Sequence, residues 1–116
     1  MKLVVFVLNN TDKLDELMVE LSEAGIRGAT IIESSGMAQV LTHSGEDDPL
    51  IAYLRSIVDP SKDNNKTILF VSEEEEIVTI REVIKKVIGD LSEPQTGILF
   101  TIPVDFTDGI KKEPKA

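Results

Sequence analysis

The chain of 116 residues carries 21 acidic and 12 basic side chains, a formal net charge of −9, with 41% hydrophobic and 28% charged residues and no cysteine. That length fits one domain, and the composition is globular, not disordered. The acidic balance, with no basic stripe interleaved with aromatics, argues against nucleic acid as a partner, and the lack of cysteine excludes disulfides and thiolate chemistry and leaves zinc only His43 and carboxylates.

Leu3 to Leu8 (LVVFVL) is apolar at both parities and rich in β-branched residues, so it reads as a strand buried on both faces. It is too short for a membrane span and lacks the shape of a signal peptide, so a cytoplasmic protein that is not membrane-inserted is expected. Asn9-Asn10-Thr11-Asp12 follows as a cluster of short oxygen-bearing side chains suited to capping a helix. Leu14, Leu17, Met18 and Leu21 then recur at i, i+3, i+4 and i+7, with Asp12, Asp15 and Glu16 early, where the helix dipole favours acids. Gly25 is a natural left-handed stop after Ala24.

Gly28 to Ile32 reads as a second strand, Glu33-Ser34-Ser35-Gly36 as a bulge or close backbone approach, and Met37 to Thr42 as an extension of the strand. Asp48-Pro49 reads as N-cap and first residue of a short helix, Pro49 to Val58, ended by Pro60. Leu50, Tyr53, Leu54 and Ile57 form its apolar face, and Tyr53 is expected to pack there.

The second half repeats the first. Lys66, Phe70 and Val71 fall in register with Lys2, Phe6 and Val7. Ser72-Glu73-Glu74-Glu75 reads as a capping box with Ser72 as the cap. The acidic run Glu73 to Glu76 is then a dipole-compensated first turn, not a metal site. Ile80, Val83, Ile84, Val87, Ile88 and Leu91 make the helical stripe, and Gly89 its stop. Ser92 to Thr96 is a loop and Gly97 to Val104 the last strand, with Pro103 marking its end or an edge position because it has no ladder donor.

Strand-helix-strand, a short helical insertion, then strand-helix-strand is the order of an α+β, ferredoxin-like βαββαβ sandwich: one antiparallel sheet with both helices on one face. Such strands should alternate apolar with polar, yet Leu3 to Leu8, Ile31-Ile32, Ile68 to Val71 and Ile98 to Phe100 do not. The helix-free face must therefore be dry as well. No element large enough is left to cover it, so an obligate oligomer is expected, with copies of the same sheet as the cover. Residues 1–112 are expected to form the domain and 113–116 a flexible tail.

The opening KLVVFVL, the helix from Thr11 to Ala24, the GIRGATII turn and strand from Gly25 and the closing GILFTIPV resemble the PII signal-transduction superfamily over nearly all of residues 1 to 112. The resemblance lies in element order, spacing and apolar pattern. It implies a homotrimer whose sheets pack around a threefold axis. It further implies a sensor that binds small effectors, usually adenine nucleotides, in clefts between subunits, and that signals through the loop between strands two and three to a transporter, enzyme or regulator. Carried onto this chain, Gly36-Met37-Ala38-Gln39 stands at the base of that loop, with Gln39 in the ligand-contacting position. Thr96 and Gly97 close the loop before strand four, and Lys111 stands where one of two C-terminal arginines would be, with Gly109 in place of the other. Where typical members have a Gly- and Lys-containing phosphate cradle, this chain has Leu91-Ser92-Glu93-Pro94-Gln95-Thr96-Gly97. Pro94 removes an amide donor there and Glu93 repels phosphate.

His43 lies near Glu46, Asp47 and Asp48 without a fixed ligand spacing and reads as a solvated loop histidine. Ser34 and Ser35 lack a G-x-S-x-G elbow and read as turn chemistry. Without a triad or paired carboxylates the chain is read as a non-enzyme. A PII-like sensor is the favoured class. The alternatives are a non-catalytic structural or partner-binding trimer of the cation-tolerance type with no nucleotide site, and an enzyme on the same sandwich. An acylphosphatase would need an arginine near the end of strand one, and Asn9-Asn10-Thr11-Asp12 offers none.

Overall fold

The computed structural model describes residues 1–42, 48–57 and 64–110. In chain order the elements are β1 (Lys2–Leu8), a 3-10 turn (Thr11–Lys13) that runs into α1 (Leu14–Glu23), β2 (Thr30–Ser34), α2 (Met37–Thr42), α3 (Pro49–Ile57), β3 (Asn65–Ser72), α4 (Glu74–Val87) and β4 (Gly97–Pro103). The strands form one sheet in the order β2-β3-β1-β4, antiparallel at every pairing. This is the ferredoxin-like arrangement, α+β, with helices inserted between β2 and β3.

One face of the sheet carries the core. Val4, Phe6 and Leu8 of β1 and Ile68 and Phe70 of β3 meet Leu17 and Leu21 of α1 and Ile80, Val83, Ile84 and Val87 of α4. Both helices therefore lie on the same side, and the apolar stripes recognised in the sequence are the sides they bury. Gly25, at φ +94°, ends α1. Its N–H donates to Ser22 O (3.1 Å) and that of Ile26 to Leu21 O (2.9 Å), a Schellman pair that brings Ile26 into the core. On the surface the Lys86 ammonium meets the Glu20 carboxylate at 2.8 Å and joins the two helices.

The other face is apolar and bare. Val5 pairs with Leu69 and Phe100, Leu3 with Val71 and Ile102, and Val7 with Thr67 and Ile98; Ile32 faces Thr67. These side chains share the parity opposite to the core residues. Ile98 is 61% exposed and Phe100 and Ile102 are 46% each, values far from those of a finished protein interior. The exposure is greatest along β4, while Val5 in the middle of the face is 8% exposed.

Four local expectations are corrected. Met37–Thr42 is helix α2, not an extension of the strand. The cap of α4 is Glu73, not Ser72: the Glu73 side chain accepts from the backbone of Glu76, while Glu73 N–H donates to Glu76 Oε1 at 3.0 Å. Ser72 ends β3 opposite Lys2 and is only 2% exposed, so its place in the ladder overrides its capping preference. Asp48 does cap α3, accepting from Leu50 N at 2.8 Å, but the helix turns the other way from the expected one: Ile51 is buried while Leu50 and Tyr53 are about 60% exposed. The cluster at Asn9 to Asp12 gives no side-chain cap at Asn10; the turn closes through backbone bonds from Thr11 N to Asn9 O and Lys13 N to Asn10 O. Pro103 ends the edge strand β4, where its missing donor costs no ladder bond. Val58, Pro60, His43 and the tail 113–116 lie outside the described residues. Among those described, no helix is long and apolar enough to cross a membrane.

Candidate functional site

The ladder registers bring the loop-bearing strand ends to one end of the sheet. Ser34 pairs with Asn65, Lys66 with Leu8, and Leu8 with Gly97. The Gly36-Met37-Ala38-Gln39 segment leaves from β2 at one edge, and Thr96-Gly97 enters β4 at the other. Three inter-strand spacings separate the two edges, about 14 Å. Within one chain the two candidate groups are neighbours along an end, not walls of one pocket. Lys111, the third candidate, lies outside the described residues.

The corner at β2 is held by short polar contacts. Ser34 Oγ lies 2.7 Å from Thr67 Oγ1 and donates to Asn65 O at 3.3 Å, while Glu33 and Lys66 pair across the strands. Gly36 then starts α2, with Val40 N–H donating to Gly36 O at 3.1 Å. Gly36 N–H reaches the Gln39 side-chain oxygen at 3.5 Å, the long limit of a hydrogen bond. A Cβ on Gly36 would stand 3.2 Å from Asn65 Nδ2, so a larger residue would push on the entry to β3. Met37 is 79% exposed, while Ala38 and Gln39 are half-buried.

The corner at β4 is built differently. A Cβ on Gly97 would lie 2.6 Å from Val7 O and 2.7 Å from Phe6 Cε1, so glycine is required here by packing against β1. Asn9 N–H donates to Thr96 O at 3.1 Å and ties the loop to the end of β1. Thr96 Oγ1 turns inward, donating to Glu93 O (2.9 Å) and lying 3.3 Å from Leu91 O. Ser92 N–H donates to Asp90 Oδ1 at 2.9 Å and Glu93 N–H to Asp90 O at 3.1 Å. The bond from Ser92 N–H, supported by the Ser92 side chain, holds the Asp90 carboxyl below the usual carboxylate range.

A feature the sequence did not announce is a groove of about 890 Å³ between α4 and the edge strand β4, lined by Val78, Arg81, Lys85, Asp90, Leu99 and Thr101 among others. It exists because β4 has no strand beyond it and α4 packs toward β1, a relation that only the topology discloses. Among the described residues no group of three or more histidine, cysteine or acidic side chains could hold a metal ion.

A four-stranded sheet with both helices on one face, a helical insertion between β2 and β3 and loops gathered at one end defines a ferredoxin-like architecture. The family model described as Nitrogen regulatory protein P-II matches residues 1–114, and the chain belongs to that family. It is a PII-like signalling and regulatory protein. Compared with individual curated proteins, the chain has no match.

Proposed function

We infer that the protein works as a homotrimer which binds a small effector in clefts between subunits and transmits its presence, through the α2–α3 insertion, to a protein partner such as a transporter, enzyme or regulator. The observation that carries this reading is the division of the candidate residues between two corners. Gly36 to Gln39 and Thr96-Gly97 stand at the same end of the sheet on opposite edges, beside a face that is apolar and bare. Packing three such faces together buries that surface and sets one chain's β2 corner beside a neighbour's β4 corner. Each corner then supplies half of a cleft, and an effector seated there contacts the start of α2, the element that leads into the insertion.

Exposed Leu50 and Tyr53 on α3, with Met37 and Val40 on α2, give the insertion an apolar surface of the kind a protein partner buries. Adenine nucleotides belong in the screen because the family resemblance implies them. A thermal-shift screen of adenine nucleotides, cyclic dinucleotides, 2-oxoglutarate and bicarbonate, run on wild type and Gln39→Ala, tests the reading. A stabilising compound whose effect is lost in the variant supports it.

The self-bonded loop from Asp90 to Thr96 favours a second reading, a structural or partner-binding trimer of the cation-tolerance type with no nucleotide site. A screen in which no compound moves the melting point selects that reading.

A further inference from the structure

In the loop between α4 and β4, the donors nearest Asp90 are taken up within the loop itself. Ser92 N–H is taken by the Asp90 carboxylate and Glu93 N–H by the Asp90 carbonyl, and Pro94 has no N–H. The Thr96 hydroxyl donates back to Glu93 O from the other side. A run of backbone N–H groups holds a phosphate when those groups point outward, unclaimed, into a concavity. In this loop the anion is already present and covalently attached: it is the carboxylate of Asp90. Like any aspartate that carboxyl is ionised at neutral pH, a form the Ser92 bonds favour further, and the exposed Glu93 beside it adds a second negative charge. An incoming phosphate would meet two like charges and would have to break the Ser92–Asp90 bond to reach the Ser92 N–H.

We propose that this closed loop makes the inter-subunit cleft select an effector that carries no phosphate group, with Asp90 as the specificity-determining residue. The inference rests on the cleft reading above and narrows the class of its ligand. Asp90 acts by occupying the donors and by charge. Removing both its carboxylate and the neighbouring obstacles therefore converts the loop into an anion site.

Isothermal titration with tripolyphosphate, ATP and adenosine tests this on the full-length protein and on the triple variant Asp90→Ala/Glu93→Lys/Pro94→Gly, which releases Ser92 N–H, reverses one charge and restores a backbone donor. Wild type is expected to give no binding of tripolyphosphate or ATP at millimolar concentration. The triple variant is expected to bind both at least tenfold more tightly than wild type. Tighter binding of ATP than of adenosine by wild type overturns the proposal, and so does a folded triple variant that gains no affinity for tripolyphosphate. If the triple variant does not fold, Asp90→Ala/Glu93→Lys takes its place, since it frees Ser92 N–H and reverses one charge while keeping Pro94; it must bring tripolyphosphate binding into the measurable range, and no gain overturns the proposal. Sedimentation of the same samples separates the two levels: a monomeric wild type defeats the cleft reading, whereas tripolyphosphate titration still reads the loop in each single chain.

Discussion

The ring of Phe6 lies so close to Gly97 that a methyl group there would stand 2.7 Å from Phe6 Cε1 and 2.6 Å from Val7 O. The glycine that the family resemblance places at an effector loop is thus fixed by the core. Gly97→Ala is expected to destabilise the protein by about 1–3 kcal/mol, the usual cost of overpacking a closed site. Urea denaturation checks this, and the loss should be the same with and without candidate effectors.

The bare sheet face gives a sharper expectation. Phe100 lies on the edge strand β4, opposite Val5 of β1, and is 46% exposed in the single chain. Phe100→Glu leaves the helix-side core untouched but places a charge where a neighbour's apolar face must dock. The variant should keep its far-ultraviolet circular dichroism and sediment as a monomer. A Phe100→Glu protein that assembles as wild type does would show that this face is not the subunit interface.

Gln39 holds Gly36 N–H by a contact of 3.5 Å, the long limit of a hydrogen bond. Its replacement by alanine is expected to cost about 0.5–1.5 kcal/mol of stability, the usual loss for a side-chain hydrogen bond. Faster hydrogen exchange should be confined to the start of α2. A large loss of stability would mean that Gln39 is a structural residue, and its side chain would then be unsuited to swing toward an effector.

Asp90 supplies a pH signature. Its folded pKa is depressed by the Ser92 N–H, so it contributes stability above its unfolded pKa, near 3.9 for a free aspartate, and loses it as pH falls through the folded value. Wild type should therefore melt above Asp90→Asn at neutral pH, and the gap should close below about pH 4. Melting temperatures across that range provide the check, and a gap that widened in acid would contradict the assignment.

On α3 the two faces should respond in opposite ways. Ile51→Ala removes a side chain that is only 4% exposed and should lower the melting temperature. Tyr53→Ser, at a position 61% exposed, should change stability by no more than about 0.5 kcal/mol. If Tyr53→Ser proved as damaging as Ile51→Ala, the exposed face would be a packed one.

Much of this fold was legible because its strongest signals are local and periodic. The stripes from Leu14 to Leu21 and from Ile80 to Ile88 needed no tertiary knowledge, and Gly25 announced its left-handed turn. The double apolar parity of Leu3 to Leu8 pointed to a second apolar face, on the side of the sheet away from the helices. What misled was competition between local preferences. Met37 to Thr42 mixes helix formers with Val40 and Leu41; the deciding clue was Gln39 three residues after Gly36, where a side chain can reach back to the first N–H of a helix. Ser72 is the better cap by type, but Lys2 holds it in the ladder and Glu73 takes the role. Tyr53 reads as packed because it shares a stripe with Leu50, Leu54 and Ile57, yet Ile51 is the buried one: a short helix with apolar residues on two sides does not say which side its neighbour covers. The closure of the loop at Asp90 depended on one backbone turn, and sequence could supply only the charge and the missing amide.

In the proposed assembly the bare face is a subunit interface and each effector cleft is made by two chains. Sedimentation equilibrium of the wild-type protein at micromolar concentration tests it most directly. The account predicts a single species of about three times the 12.8 kDa chain mass, stable on dilution. A stable species of 12.8 kDa would contradict it, since the two corners would then remain about 14 Å apart on one chain with no cleft between them.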